Sequence, residues 1–378
     1  MKKLLIATDS FLPRWDGISR FLSEIMPVLE NEFEITVVCP KYKGDLKGFE
    51  KIHIVRFRTL GLSIADINLA WPNLKRLRDL VAEADLVWTQ TLGPIGALTV
   101  LNAKKLNRPC LAYIHSIEWE LFSKSVRSMR DLVFILTTFY VRWLYNRCSM
   151  LMVPSLEVEE LLQYNGIRTQ KKVVHLGIDI DKFRPADIKS DAKKKVGINP
   201  DHKVIGYTGR IAREKDVLTL YKAFLKVKQE RKDVVLLIVG DGLSSYKKIM
   251  SENDSVIMPG SVNNIQDYLQ AMDIFVLPSL TETTSLSTME AMSCGIPVIS
   301  TKVGFVKRYV KEKENGMFFP QHNDLLLSLK IKWLLERPDM MYHLSENARK
   351  TITDRYQWKS TVERIKTILT SVETRPAP

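Results

Sequence analysis

Short runs of β-branched and aliphatic residues alternate with helical patterns twice along this chain, first over residues 4–174 and again over 204–319. In the first half the strand candidates are Leu4–Ala7, Glu34–Cys39, Ile52–Arg56, Leu86–Thr89, Cys110–Ile114, Met150–Val153 and Val173–Val174. In the second half they are Val204–Tyr207, Val234–Val239, Val256–Met258, Ile274–Leu277, Pro297–Ser300 and Gly316–Phe319. Most are apolar throughout, as strands buried on both faces of a parallel sheet must be. The alternation predicts an α/β protein of two Rossmann-like domains. Turn residues over Gly177–Pro185 place the link near 180–195. The expected division is 1–185, 186–355, and a final piece, 356–378, whose helix returns towards the N-terminal domain and whose end, Glu373–Pro378, frays. Residues 323–370 read as mostly helical, with Asn323 as the first N-cap.

Length and composition agree with two ordinary globular cores. The chain has 378 residues, 45% hydrophobic and 26% charged, which excludes disorder and fibrous repeats. Cys39, Cys110, Cys148 and Cys294 are scattered without a CxxC pair, which argues against a disulfide framework or a thiolate zinc site and for a cytoplasmic setting. Asp9 interrupts the apolar start before it reaches the length of a secretory segment. The longest apolar block, Leu132–Val141, falls well short of the roughly 20 residues needed to span a bilayer. The net charge of +13 suits phosphate-bearing ligands or an anionic membrane surface equally. No basic–aromatic cluster or zinc-finger spacing accompanies it, so nucleic acid is not an expected partner.

Candidate chemistry gathers where predicted strands hand over to helices, the edge at which open α/β sheets bind ligands. After Ile274–Leu277 comes Pro278–Met292, with Glu282 and Glu290 spaced so that one continuous helix would set them about 80° apart. A shared ligand is reached more easily with Glu282 in a loop and Glu290 in the helix. Thr283, Thr284, Ser285 and Leu286 then offer helix-start amides to a polyol or phosphate. A capped helix start with an exposed Glu explains the same residues. After Val204–Tyr207 comes Gly209-Arg210-Ile211-Ala212-Arg213-Glu214-Lys215, which by itself reads as a solvated basic turn or an anion clamp. Gly240 and Gly242 flank a tight turn without the third glycine of a dinucleotide fingerprint.

Taken together, Glu282–Val298 and Gly209–Lys215 resemble the Glu-x7-Glu region and the Gly-Arg-x4-Lys clamp of the retaining GT-B glycosyltransferases of family 4. The resemblance covers nearly the whole chain and implies two Rossmann-like domains facing each other across a cleft. It implies that Arg210 and Lys215 hold a diphosphate beside Gly209, Gly240 and Gly242. Glu282 would bind the donor sugar, Glu290 the ribose, and the backbone around Val262 the base. Phe11–Arg20, which includes Trp15, resembles the family's first glycine-rich loop, with Gly17 near the donor phosphate; Asp16 as an ordinary N-cap is the plain alternative. His115 resembles the family's sugar-facing histidine, and a packed structural histidine is the plain alternative. The chain departs from the pattern at Thr283-Thr284-Ser285, where Gly-Phe-Gly is usual, and at Asp216, where many members have Gly.

The implied activity is transfer of a hexose, glucose or mannose, from a UDP- or GDP-sugar to a hydroxyl acceptor, lipid or polyprenyl-linked, with the donor configuration retained. No cofactor is expected, and no Asp-x-Asp motif stands at the carboxyl end of a strand near these residues to call for a metal. A GT-B epimerase, a phosphorylase, a soluble-acceptor transferase and a non-catalytic binding protein share the fold and form the alternatives. Residues 118–147 mix Trp119, Phe122, Tyr140, Trp143 and Tyr145 with Arg127, Arg130, Arg142 and Arg147. They read as a buried helix with surface arginines, with an interfacial helix at an anionic membrane as the competing expectation.

Overall fold

The computed structural model describes residues 1–14, 16–42, 44, 48–64, 67–126 and 128–372. Trp15, Arg127 and the expected frayed end Glu373–Pro378 lie outside the described residues. The chain forms two compact units, Met1–His175 with Val362–Pro378, and Leu176–Thr361.

The first unit is built on strands β1 (Lys2–Ala7), β2 (Phe33–Pro40), β3 (His53–Ile64), β4 (Ile67–Trp71), β5 (Leu86–Thr89), β6 (Cys110–Tyr113), β7 (Met150–Val153) and β8 (Lys171–Val173). They form one eight-stranded sheet ordered β4-β3-β2-β1-β5-β6-β7-β8. Neighbours pair in parallel except at β3–β4, an antiparallel edge hairpin that the apolar pattern did not predict. Crossover helices cover the central strands: Leu5, Val38, Val87 and Ala112 join Leu77, Ile95, Val100 and Leu144 in one buried cluster.

The second unit holds β9 (Lys203–Thr208), β10 (Val234–Val239), β11 (Val256–Gly260), β12 (Ile274–Leu277), β13 (Val298–Ser300) and β14 (Gly316–Phe318). Its six-stranded sheet is ordered β11-β10-β9-β12-β13-β14 and is parallel throughout. Every residue of β10 and β12 is buried, which explains their unbroken apolar sequences. Strand order reverses direction between β9 and β12, so the loops leaving their carboxyl ends diverge and open a crevice.

The link starts earlier than the 180–195 stretch because Leu176–Pro185 is tied into the second unit. Ile178 donates its amide to Tyr356 O at 2.8 Å, and Trp358 donates to Ile178 O at 2.9 Å. Phe183 is fully buried, and its carbonyl accepts from Ser293 Oγ at 2.6 Å and from Arg349 Nη1 at 2.8 Å. At the other end, the helix Trp358–Ser371 carries the chain back to the first unit. There Arg364 Nε donates to Val173 O at 3.0 Å and Lys2 Nζ to Val372 O at 3.0 Å. Replacing Phe183 with Ala should therefore cost about 3–5 kcal/mol, the scale of deleting a buried aromatic ring. Denaturant unfolding of the full chain will show it as a lowered midpoint for the second unit.

Candidate donor site

At the carboxyl edge of β9 and β12 two of the predicted side chains, Lys215 and Glu282, meet directly, and a third, Arg210, pairs with a neighbouring carboxylate. Leaving β9, the chain turns at Gly209 (φ +146°) and passes Arg210 before one 3-10 turn, Arg213–Lys215. Leaving β12, it loops over Pro278–Ser285 into the helix Leu286–Ser293. Lys215 Nζ lies 2.6 Å from Glu282 Oε1, and Ser279 Oγ donates to that same oxygen at 2.8 Å. Arg210 Nη2 lies 2.7 Å from Glu214 Oε1. Leu280 donates its amide to Glu214 O at 2.8 Å, which stitches the two loops together. The carboxylates are nearly enclosed, at 11% exposure for Glu282 and 5% for Glu214, whereas Arg210 keeps 35% of its side chain open. Glu214 was missed as a site residue in the sequence. No helix spacing could have marked it, because the chain is not helical between Arg210 and Ala212.

Backbone geometry explains which glycines the site needs. Gly240 has φ +139°, and a Cβ there would sit 2.0 Å from Gly209 O, so the β10 loop can lie against the β9 loop only without a side chain. Gly242 approaches Ile211 in the same way, through Ile211 N to Asp241 O at 2.8 Å and Leu243 N to Ile211 O at 2.8 Å. On the other side, Gly304 rests on Glu282 O and Thr283 O, where a Cβ would come within 1.8 Å of Glu282 O.

The two departures from the family pattern keep the conformation that glycine would favour. Asp216 is left-handed at φ +46° and Ser285 at φ +59°. Local bonds offset the strain: Thr219 Oγ1 and His322 Nδ1 lie 2.8 and 2.9 Å from Asp216 Oδ2, and Ser285 Oγ meets Thr288 Oγ1 at 2.8 Å. The helix begins at Leu286 rather than at Thr283, because the preceding carbonyls are engaged elsewhere. Phe305 N donates to Thr283 O at 2.8 Å, and Tyr309 Oη to Thr284 O at 2.7 Å. Burial, then the nearby Glu282 charge, holds the Tyr309 phenol well above its ordinary range, so it remains a donor.

Glu290 sits in the helix Leu286–Ser293 and is buried. Val262 is half-buried in the link between β11 and the helix Ile265–Ala271. Both therefore lie on segments that follow the carboxyl ends of strands in this sheet. Among the described residues, no cluster of three or more His, Cys, Asp and Glu is placed to hold a metal ion.

In the first unit Gly17 opens the helix Gly17–Leu29, capped by Asp16, whose Oδ1 accepts from Ile18 N and Ser19 N at 3.0 Å. His115 follows β6. Its Nε2 meets Gln90 Oε1 at 2.8 Å, and its ring packs on Phe21 and Tyr113 at centroid distances of 5.0 and 4.7 Å. Burial pushes the imidazole down to about 3, against the opposing pull of Asp16, so the ring is neutral at physiological pH.

The family model "Glycosyltransferase Family 4" matches residues 15–182, and "Glycosyl transferases group 1" matches residues 188–351. The chain belongs to the group 1, family 4 glycosyltransferases. Its fold is the GT-B arrangement of two Rossmann-like domains. Among curated relatives of this glycosyltransferase, an alpha-monoglucosyldiacylglycerol synthase of Streptococcus pneumoniae is 25% identical over 354 residues, 90% of this chain and 80% of the relative. The UDP-Gal:alpha-D-GlcNAc-diphosphoundecaprenol alpha-1,3-galactosyltransferase of Escherichia coli is 26% identical, over 96% of each chain. Among solved structures, Anabaena HepE in complex with UDP and glucose superposes with a TM-score of 0.80 at 18% identity, covering 98% of this chain and all of that one.

The neutral ring of His115 is directly testable. In an acid titration followed by NMR it should stay unprotonated until close to pH 3. Because the folded value is depressed, His115 adds no stability change above the unfolded value and costs stability as pH falls below it. His115→Gln should therefore flatten part of the acid loss of stability.

Proposed function

We propose that this glycosyltransferase moves a hexose, glucose or mannose, from a UDP- or GDP-sugar to the hydroxyl of a lipid- or polyprenyl-linked acceptor at the cytoplasmic membrane face, with retention of the donor configuration. The observation that carries the donor half is the meeting of Lys215 and Glu282 at 2.6 Å, with Arg210 and Glu214 beside them. Two cations and two carboxylates on loops at one strand edge match a diphosphate and a sugar joined to it. The two relatives, a synthase of alpha-monoglucosyldiacylglycerol and a galactosyltransferase that uses alpha-D-GlcNAc-diphosphoundecaprenol, support the acceptor half.

In this reading the donor diphosphate takes the place of Glu282 as the partner of Lys215, and Arg210, the more open cation, reaches the second phosphate. Glu282, released from Lys215 and still held by Ser279, accepts hydroxyl hydrogens of the sugar. Glu290 holds the ribose. As the bond from the anomeric carbon to the diphosphate breaks, its electron pair goes to the leaving phosphate oxygen. The guanidinium and ammonium groups stabilise that growing charge. The acceptor oxygen bonds to the same face of the sugar, and its proton passes to the departing phosphate. The chemistry needs no cofactor.

Lys215→Ala and Glu282→Ala should each lower kcat/KM by roughly a hundredfold or more, the scale of removing one group that stabilises transition-state charge. Assays with UDP-glucose and GDP-mannose as donors measure this. Wild-type rates in either variant would contradict the assignment. Donor identity follows separately from thermal unfolding, since the true donor raises the melting temperature and the wrong one leaves it unchanged.

A further inference from the structure

The helix Arg130–Tyr145 carries its apolar stripe on the outside. Leu132, Leu136, Phe139 and Trp143 recur at i, i+4, i+7 and i+11, with Ile135 and Tyr140 on either flank, the spacing that normally faces a core. Here the side chains of that stripe are between 43% and 60% exposed. The opposite face does the ordinary work: Val141, Leu144 and Tyr145 are buried, and Tyr145 Oη donates to the enclosed Glu118 at 2.7 Å. The sequence expectation of a buried helix is therefore corrected. Packing takes the narrower face, and the wider one is left open. Met129, just before the helix, is 66% exposed and extends the patch.

Such a contiguous apolar surface marks a docking face. Its rim identifies the occupant. The Arg142 guanidinium lies over the Phe139 ring at 4.8 Å from the centroid, and the Arg147 guanidinium over Trp143 at 3.9 Å. Each cation thus lies along an apolar ring with its charge at the edge of the patch, as snorkelling arginines do. The helix contains a single carboxylate, Asp131, and the whole chain carries +13. Trp143 and Tyr140 add amphipathic rings of the kind that settle at headgroup depth. Two copies pairing through this stripe would bring like-charged rims together, whereas anionic headgroups would neutralise them. No described helix is long and apolar enough to cross a membrane, so a helix of this kind lies in the interface rather than through it.

We propose that the exposed face Leu132–Trp143 is a membrane-docking surface that inserts Ile135, Leu136 and Phe139 among acyl chains while Arg142 and Arg147 engage anionic lipid headgroups. The inference stands on the exposed stripe itself. It complements the lipid-linked acceptor proposed above, and each can fail without the other.

The test is flotation of the full chain with vesicles of phosphatidylcholine alone or mixed with phosphatidylglycerol. Wild type should float with the mixed vesicles at low salt, and binding should blue-shift Trp fluorescence. Leu136→Glu with Phe139→Glu should lower the partition coefficient by at least roughly tenfold, the scale of withdrawing large apolar side chains from an apolar phase. Arg142→Gln with Arg147→Gln should remove the preference for phosphatidylglycerol, and Trp143→Phe should abolish most of the fluorescence shift. Tyr164→Glu, at a residue 90% exposed on another helix, should change nothing. These positions are exposed except Arg147, which is half-buried, so unchanged circular dichroism and melting will show that the variants fold. Flotation of the double glutamate variant like wild type would overturn the proposal. So would light scattering that finds a dimer in wild type and a monomer in that variant, since the occupant would then be a second copy. Flotation that persists when no lipid acceptor is glycosylated would leave docking intact and sink only the acceptor reading.

Discussion

The ion pair between Lys215 and Glu282 is the point on which the second unit's chemistry turns. It joins the two loops that leave the adjacent strands β9 and β12. Leu280 N to Glu214 O and Ser279 Oγ to Glu282 Oε1 brace the same junction. The pair is only partly enclosed, with 20% of the lysine and 11% of the glutamate side chain exposed, so its attraction is stronger than on an open surface yet reachable from solvent. A charged ligand can compete for either partner. That balance suits a site in which a diphosphate claims the cation and a sugar claims the carboxylate.

The surrounding packing keeps both ends of the pair in place. Gly240, Gly242 and Gly304 let three backbone segments approach more closely than any side chain would permit. Tyr309 and Phe305 bind the carbonyls of Thr284 and Thr283 from the opposite side. Asp216 and Ser285 show that a left-handed turn does not require glycine when a short polar side chain can bond locally.

Much of this was legible in the sequence, and the gaps have physical causes. The predicted parallel strands stood out because burial on both faces forces continuous apolar runs, as in Val234–Val239. Strand β4 did not, since Ile67–Trp71 mixes Asn68 into a short edge hairpin that needs no such run. Arg210, Lys215 and Glu282 were singled out through the family resemblance, and the structure pairs Lys215 with Glu282, while Glu214, which holds Arg210, had no motif to mark it. The helix Arg130–Tyr145 was misjudged for a simple reason. Periodicity reports that an apolar face exists, not what lies against it.

Calorimetric titration of UDP and of UDP-glucose, or the corresponding GDP pair, into wild type and the two alanine variants tests the central claim most directly. If Lys215 serves the diphosphate and Glu282 the sugar, Lys215→Ala should weaken the nucleotide and the nucleotide sugar alike. Glu282→Ala should weaken only the nucleotide sugar, and freeing Lys215 from its partner should leave nucleotide affinity equal or higher. Equal weakening of both ligands by Glu282→Ala would contradict the account, because the carboxylate would then be supporting the loop rather than binding the sugar.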